Sequence, residues 1–123
     1  MQRELVFYRS GDEVPFRKWL DTLPKQARAK CGARLERLRM LGHLLRRPEA
    51  DYLRDGIYEL RLAFAGLNLR ALYFFHGTEV VVVTTGVVKQ AGRVPETEIE
   101  RARTSMSRYL TDPEAHSFRG PMP

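Results

Sequence analysis

The alternation from Ile57 to Phe64 constrains this chain more than any other stretch. In an extended strand, Tyr58, Leu60, Leu62 and Phe64 fall on one side and Glu59 and Arg61 on the other. Two more strand-like runs follow, Leu69 to Phe75 and Val80 to Thr85, separated by Ala65-Gly66-Leu67-Asn68 and His76-Gly77-Thr78-Glu79. Parallel neighbours need long crossovers, so connections this short predict an antiparallel meander. A symmetric first turn sets Arg61 opposite Leu72 and Arg70 opposite Ala63. The two arginines then become diagonal neighbours on one face, about 7 to 8 Å apart.

Before the meander, Leu5 to Tyr8 reads as a strand ended by Ser10-Gly11-Asp12. Asp12 is a candidate helix cap, and Val14, Phe16, Trp19 and Leu20 sketch a helical face with Pro15 tolerated in the first turn. Pro24 restarts the helix. Leu23, Ala27, Cys31, Leu35, Leu38 and Leu45 form its apolar stripe, to about Leu45, while Lys25, Arg28, Lys30, Arg34, Arg37 and Arg39 make the rest basic. Pro48 to Gly56 reads as a polar connector whose Asp55-Gly56 turns into the next strand. Pro95 opens a last helix with glutamates early and arginines late, matching the helix dipole, and with Ile99, Ala102, Met106 and Tyr109 as its buried stripe.

The expected fold class is therefore α/β (α+β): an N-terminal strand and helical hairpin on a twisted antiparallel sheet, with a C-terminal helix. Residues 1–110 form one domain. Residues 111–123, with three prolines and no periodicity, read as a flexible tail.

Composition narrows the class. With 43% hydrophobic and 29% charged residues, neither wholesale disorder nor membrane residence is expected. The apolar run at Val80 to Val83 is far shorter than a membrane helix requires. The start, Met1-Gln2-Arg3-Glu4, leads directly into a strand and leaves no room for a signal peptide, so the cytoplasm is the expected location. A single cysteine, Cys31, excludes an internal disulfide and a thiolate metal cluster, and packing is its expected role. The net charge of +6 favours an anionic partner, and residues 1–48 carry most of it, 12 Lys+Arg against 5 Asp+Glu.

Arg61 and Arg70 on one sheet face suit a grip on a single phosphodiester. A plainer reading also stands, in which both pair with Glu59, Asp55 or Glu79 at a solvated edge. The stretch from Thr85 to Pro95 adds Lys89 and Arg93 near the end of the sheet, but it lacks the Gly-Lys-Ser/Thr ending of a phosphate-binding loop. Lys30, Arg34 and Arg37 read equally as a footprint on ribosomal RNA or as a solvated helix face. Tyr58 and Tyr73 could stack a base or donate a proton, although the register places Tyr58 on the face opposite Arg61, where core packing is the simpler role. None of His43, His76 and His116 sits well for catalysis. Trp19 reads as a packing residue.

Four segments, taken together, resemble the HigB-like, phage-related toxins of the RelE superfamily. They are Asp55-Gly56-Ile57-Tyr58-Glu59-Leu60-Arg61, Leu69-Arg70-Ala71-Leu72-Tyr73, Gly86-Val87-Val88-Lys89 through Arg93-Val94-Pro95, and Glu98-Ile99-Glu100-Arg101-Ala102. Order and spacing agree from Leu5 to Tyr109. The chain departs from the pattern at Val87, where many relatives carry an aromatic, and at Gln90, where a second lysine commonly follows.

The resemblance implies a RelE-like toxin of a type II toxin–antitoxin system, cutting messenger RNA in the ribosomal decoding site without a metal or cofactor. Arg61, Arg70 and Lys89 match the catalytic positions. Arg93, Lys30, Arg34, Arg37 and Tyr73 are the accompanying candidates for RNA contact. The implied partners are messenger RNA on the ribosome, ribosomal RNA and a cognate antitoxin of helix-turn-helix type. The implied chemistry is attack of a ribose 2′-hydroxyl on the adjacent phosphorus, with Lys89 a candidate base. The alternative is a non-catalytic RNA- or protein-binding module on the same fold. A metal-dependent nuclease is disfavoured, because acidic residues near the site are few and lack paired spacing.

Overall fold

A computed structural model of the chain describes residues 3–90 and 92–121. Met1, Gln2, Ala91, Met122 and Pro123 lie outside the described residues, and with them parts of the expected N-terminal lead, lysine loop and tail.

The alternating segment forms strand β3 (Ile57–Phe64), which pairs antiparallel with β4 (Leu67–His76). The turn between them is shorter than the sequence suggests. Only Ala65 and Gly66 lie outside the strands, and both have positive φ, 50° and 82°. That is the turn geometry whose twist matches a two-residue hairpin. The shorter turn shifts the register, so Arg61 stands directly opposite Arg70, rather than diagonal to it. The polar connector is corrected too. It folds into an edge strand, β2 (Ala50–Arg54), joined to β3 by a second two-residue turn at Asp55-Gly56, with Asp51 opposite Glu59 and Tyr52 opposite Tyr58.

β5 (Val80–Lys89) runs further than expected and makes Lys89 a strand residue. Its register against β4 slips between Leu72 and Tyr73, leaving Thr84 as the extra residue, with its hydroxyl donating to the Leu72 carbonyl at 3.1 Å. A bulge of this kind reverses which residues face which side. Val82 and Val87 consequently pack on the same face although their numbers differ in parity, and Lys89, opposite Asn68, joins Arg70 there. At Gly86, beside the bulge, a Cβ would fall inside the indole of Trp19, so only glycine lets that ring reach the sheet.

The six strands follow the order β2-β3-β4-β5-β1-β6, with β1 (Glu4–Tyr8) parallel to β5 and the other pairs antiparallel. Helices α1 (Pro15–Leu20) and α2 (Lys25–Leu41) cover one face. Phe16, Leu20, Ala27, Cys31, Leu35 and Leu38 pack there against Leu60, Leu62, Leu69, Tyr73 and Val83. Burying each leucine contributes roughly 1.5–3 kcal/mol. Val14, not Asp12, occupies the position before α1, without a side-chain cap. Helix α3 (Glu96–Thr111) covers the other face through Ile99, Ala102 and Tyr109, against Val6, Ile57, Leu72, Phe74 and Val82.

Part of the segment expected to be a flexible tail, residues 116–119, is docked. Ser117 and Phe118 form β6 (Ser117–Phe118) beside Tyr8 and Phe7, His116 stacks on Tyr8 at 5.5 Å between centroids, and Arg119 pairs with Glu4 at 2.5 Å. Its aromatic and charged side chains find partners on β1, which a local composition argument does not see. The architecture is the mixed α+β, RelE-like arrangement anticipated. Among the described residues, no helix is long and apolar enough to cross a membrane.

Candidate active site

Helix α3 leaves part of its sheet face uncovered, and the charged residues of β3, β4 and β5 lie there. Glu59 is the centre of the group. It is 4% exposed and accepts from Arg61 Nε at 2.8 Å with one carboxylate oxygen and from Arg70 Nε at 3.1 Å with the other. A buried carboxylate between two opposed guanidinium groups removes the repulsion that would otherwise push them apart, and fixes both by their Nε edges. Arg70 is itself buried and donates a further hydrogen bond to the Leu69 carbonyl at 3.0 Å. Arg61 is more open and reaches Asp51 at 3.5 Å. Asp51 in turn receives Arg47 at 2.7 Å, and that hydrogen bond holds its carboxyl below the usual aspartate range.

A cleft of about 290 Å³ opens over this network. Arg47, Arg61, Lys89 and Arg93 line it together with Asp51, Glu59, Tyr52, Leu53 and Gly92. Four cationic side chains against two carboxylates, with Gly92 at the wall, make a concave surface suited to a phosphate group. The structure thus brings Arg61, Lys89 and Arg93 together. Arg70 does not line this cleft. It lies in an adjoining depression of about 350 Å³ with Lys30, Arg34, Asn68 and Arg61, so Arg61 is the residue common to both.

The helix residues meet the sheet at its edge. Pairing with β2 ends at Leu60, which leaves the outer carbonyls of β3 without a strand partner. Arg34 Nη1 donates to the Arg61 carbonyl at 2.7 Å, and Lys30 Nζ to the Ala63 carbonyl. Arg37 forms a two-bond pair with Glu49, at 2.5 and 2.7 Å, and holds that carboxyl below the usual glutamate range. Part of the donor capacity of this basic surface is therefore spent within the fold. Tyr73 requires correction as an RNA contact. It is 1% exposed on the opposite face, stacked on Tyr58 at 5.3 Å between centroids, and burial raises its phenol well above the ordinary value.

The histidines are engaged elsewhere. His43 stacks on Phe75 at 3.6 Å, His76 Nδ1 lies 2.9 Å from the Tyr109 hydroxyl, and His116 Nδ1 lies 2.8 Å from the Arg9 carbonyl. Sequence reasoning missed Asp51, Arg47 and Tyr52 as cleft residues. A signal was present, since Tyr52 and Ala50 alternate with Asp51 and Leu53, but the surrounding polarity disguised the strand. Among the described residues, no group of three or more His, Cys, Asp or Glu side chains is placed to hold a metal ion.

The profile of the family described as "Phage derived protein Gp49-like (DUF891)" matches residues 18–107, which contain every residue lining the cleft. The chain belongs to this Gp49-like family. The Gp49-like family is RelE-like and toxin-like, in keeping with the sheet and helices seen here. No curated protein matches the Gp49-like chain by sequence.

Proposed function

We propose that this Gp49-like protein is the toxin of a type II toxin–antitoxin pair, a cytoplasmic, ribosome-dependent endoribonuclease of the HigB-like kind. The observation that carries the reading is the convergence of Arg61, Lys89 and Arg93 on one cleft, with Glu59 clamping Arg61 from behind.

In this reading a messenger RNA linkage lies in the cleft and its ribose 2′-hydroxyl attacks the adjacent phosphorus. The P–O5′ bond breaks, leaving a cyclic phosphate on one fragment and a 5′-hydroxyl on the other. Arg61 and Lys89 face the phosphoryl oxygens, where negative charge grows, and a fixed guanidinium stabilises that charge without reorganising. Arg70 acts as a positioning residue through Glu59. Asp51 is the carboxylate candidate within the cleft for the 2′ proton, although its ion pair with Arg47, which lowers its pKa, makes it a weak base. Lys89 is the other candidate for proton transfer. Lys30, Arg34 and Arg37 keep exposed surface for ribosomal RNA phosphates, and an antitoxin of helix-turn-helix type would neutralise the protein by covering the cleft.

A second reading, a non-catalytic RNA- or protein-binding module, is favoured by one observation. Both arginines already have carboxylate partners in the free protein. Induction in bacteria, with mapping of new 5′ ends on translated messages, separates the two. Growth arrest and ribosome-dependent cuts, lost in Arg61→Ala and Lys89→Ala, support the nuclease. Unimpaired growth with intact messages overturns it.

A further inference from the structure

We infer that a second hollow, on the other side of edge strand β2, is a nucleobase pocket that takes an unpaired base of single-stranded RNA next to the linkage held at Arg61. The inference rests on the RNA reading above and deepens it. The hollow measures about 530 Å³, and His43, Arg46, Arg47, Asp51, Tyr52 and Tyr58 are among the residues that line it. That volume lies in the range of pockets that enclose small organic ligands.

Three features suit a base. Tyr52 is 52% exposed, yet its ring is held: it meets Tyr58 edge-on at 4.9 Å between centroids, and its hydroxyl accepts from the Gly56 amide at 3.0 Å. An anchored, open aromatic ring stacks a base with little ordering cost. His43 is likewise fixed by its stack on Phe75. Arg46 and Arg47 supply positive charge for the phosphate that follows.

Continuity with the cleft sets the occupant. Arg47, Asp51 and Tyr52 line both hollows, so a nucleotide chain gripped at Arg61 and Lys89 passes over them to reach the pocket. Tyr52 is the one aromatic ring among the described residues lining the cleft. The two arginines against one aspartate favour a polyanion over an acidic-poor apolar peptide, and stacking on a tyrosine tolerates any base.

The test uses a labelled hexaribonucleotide carrying a 2′-deoxy sugar at the cut position, which binds without being cleaved. Each other position is made abasic in turn, and affinity is read by fluorescence anisotropy. For wild type, one abasic position weakens binding about tenfold, the effect of losing one stacked base. Tyr52→Ala weakens binding of the intact oligonucleotide by about the same factor and makes that abasic change silent, whereas Tyr52→Phe keeps most of the base dependence. Equal tolerance of every abasic position by wild type overturns the pocket, as does an abasic penalty that persists in Tyr52→Ala. Tyr52→Ala that binds RNA normally but loses a protein partner also overturns it. The two readings fail separately. Base-dependent binding through Tyr52 without any message cleavage sinks the nuclease and leaves the pocket, while Arg61-dependent cleavage without base dependence does the reverse.

Discussion

The two faces of the sheet are built from the same strands and behave oppositely. Toward α1 and α2, β3 presents Tyr58, Leu60 and Leu62, and the face is closed by apolar packing. Toward α3, the intervening residues Glu59 and Arg61 meet Arg70 and Lys89, and the helix stops short of them. The first face is closed by apolar packing throughout, whereas the second is apolar under α3 and charged only beyond it. The difference teaches that a strand can carry the core and the site at once, because its side chains alternate, provided the covering helix is offset from the charged end.

Leu60→Ala strikes the packed face. Leu60 is fully buried, so the substitution is expected to cost about 3–5 kcal/mol in urea unfolding, with the cleft's own contacts unchanged. Glu59→Ala strikes the charged face through the adjacent residue. It leaves Arg70 buried without its carboxylate, and a cost of about 3 kcal/mol is expected; a cost near zero would break the contrast, since the charged face would then not depend on its clamp.

Arg61→Ala sharpens the contrast in a different way. Its side chain is 30% exposed and Glu59 keeps Arg70 as a partner, so Arg61 should contribute no more than about 1 kcal/mol to stability, while message cleavage falls on the order of a hundredfold. Ala65→Gly probes the hairpin that registers both faces. Ala65 has φ of 50°, a conformation that burdens a residue with a Cβ, and the glycine variant is expected to be about 1 kcal/mol more stable by thermal unfolding.

The smallest expected effect concerns pH. Asp51 has its folded pKa depressed by Arg47, so its contribution is complete above the unfolded value of about 3.9 and is lost as pH falls through the lower folded value. An acid titration of stability should therefore be flatter in Arg47→Ala than in wild type. A buried thiol gives the opposite sign. Burial pushes Cys31 up to about 11, so the stability it contributes is complete below an unfolded value near 9.0 and is lost as pH rises through the folded one, and thiol reagents should react slowly at neutral pH.

Much of the fold was legible locally. The stripe of α2 from Ala27 to Leu38, the stripe of α3 and the alternation of β3 each follow from side-chain periodicity, and the packing of Trp19 and Cys31 followed from their type. The site was legible in part. Arg61, Lys89 and Arg93 share one cleft, but Tyr73 is buried on the opposite face, and Lys89 reaches the arginine face only through the bulge at Thr84. Glu59 was visible as a competing partner for the arginines, whereas its place between them depends on a register that a two-residue turn sets.

The sequence by itself determined which residues seek the core and which seek solvent or charge, since helix and strand periods are properties of the backbone and need no partner. Tertiary structure alone decided that β1 lies parallel beside β5, that β2 is a strand, that residues 117–118 close the far edge, and that Arg61 opens to a cleft while Arg70 is buried behind Glu59. Those outcomes depend on contacts between residues far apart in the chain, where many pairings satisfy the same local pattern and only the packed whole selects one.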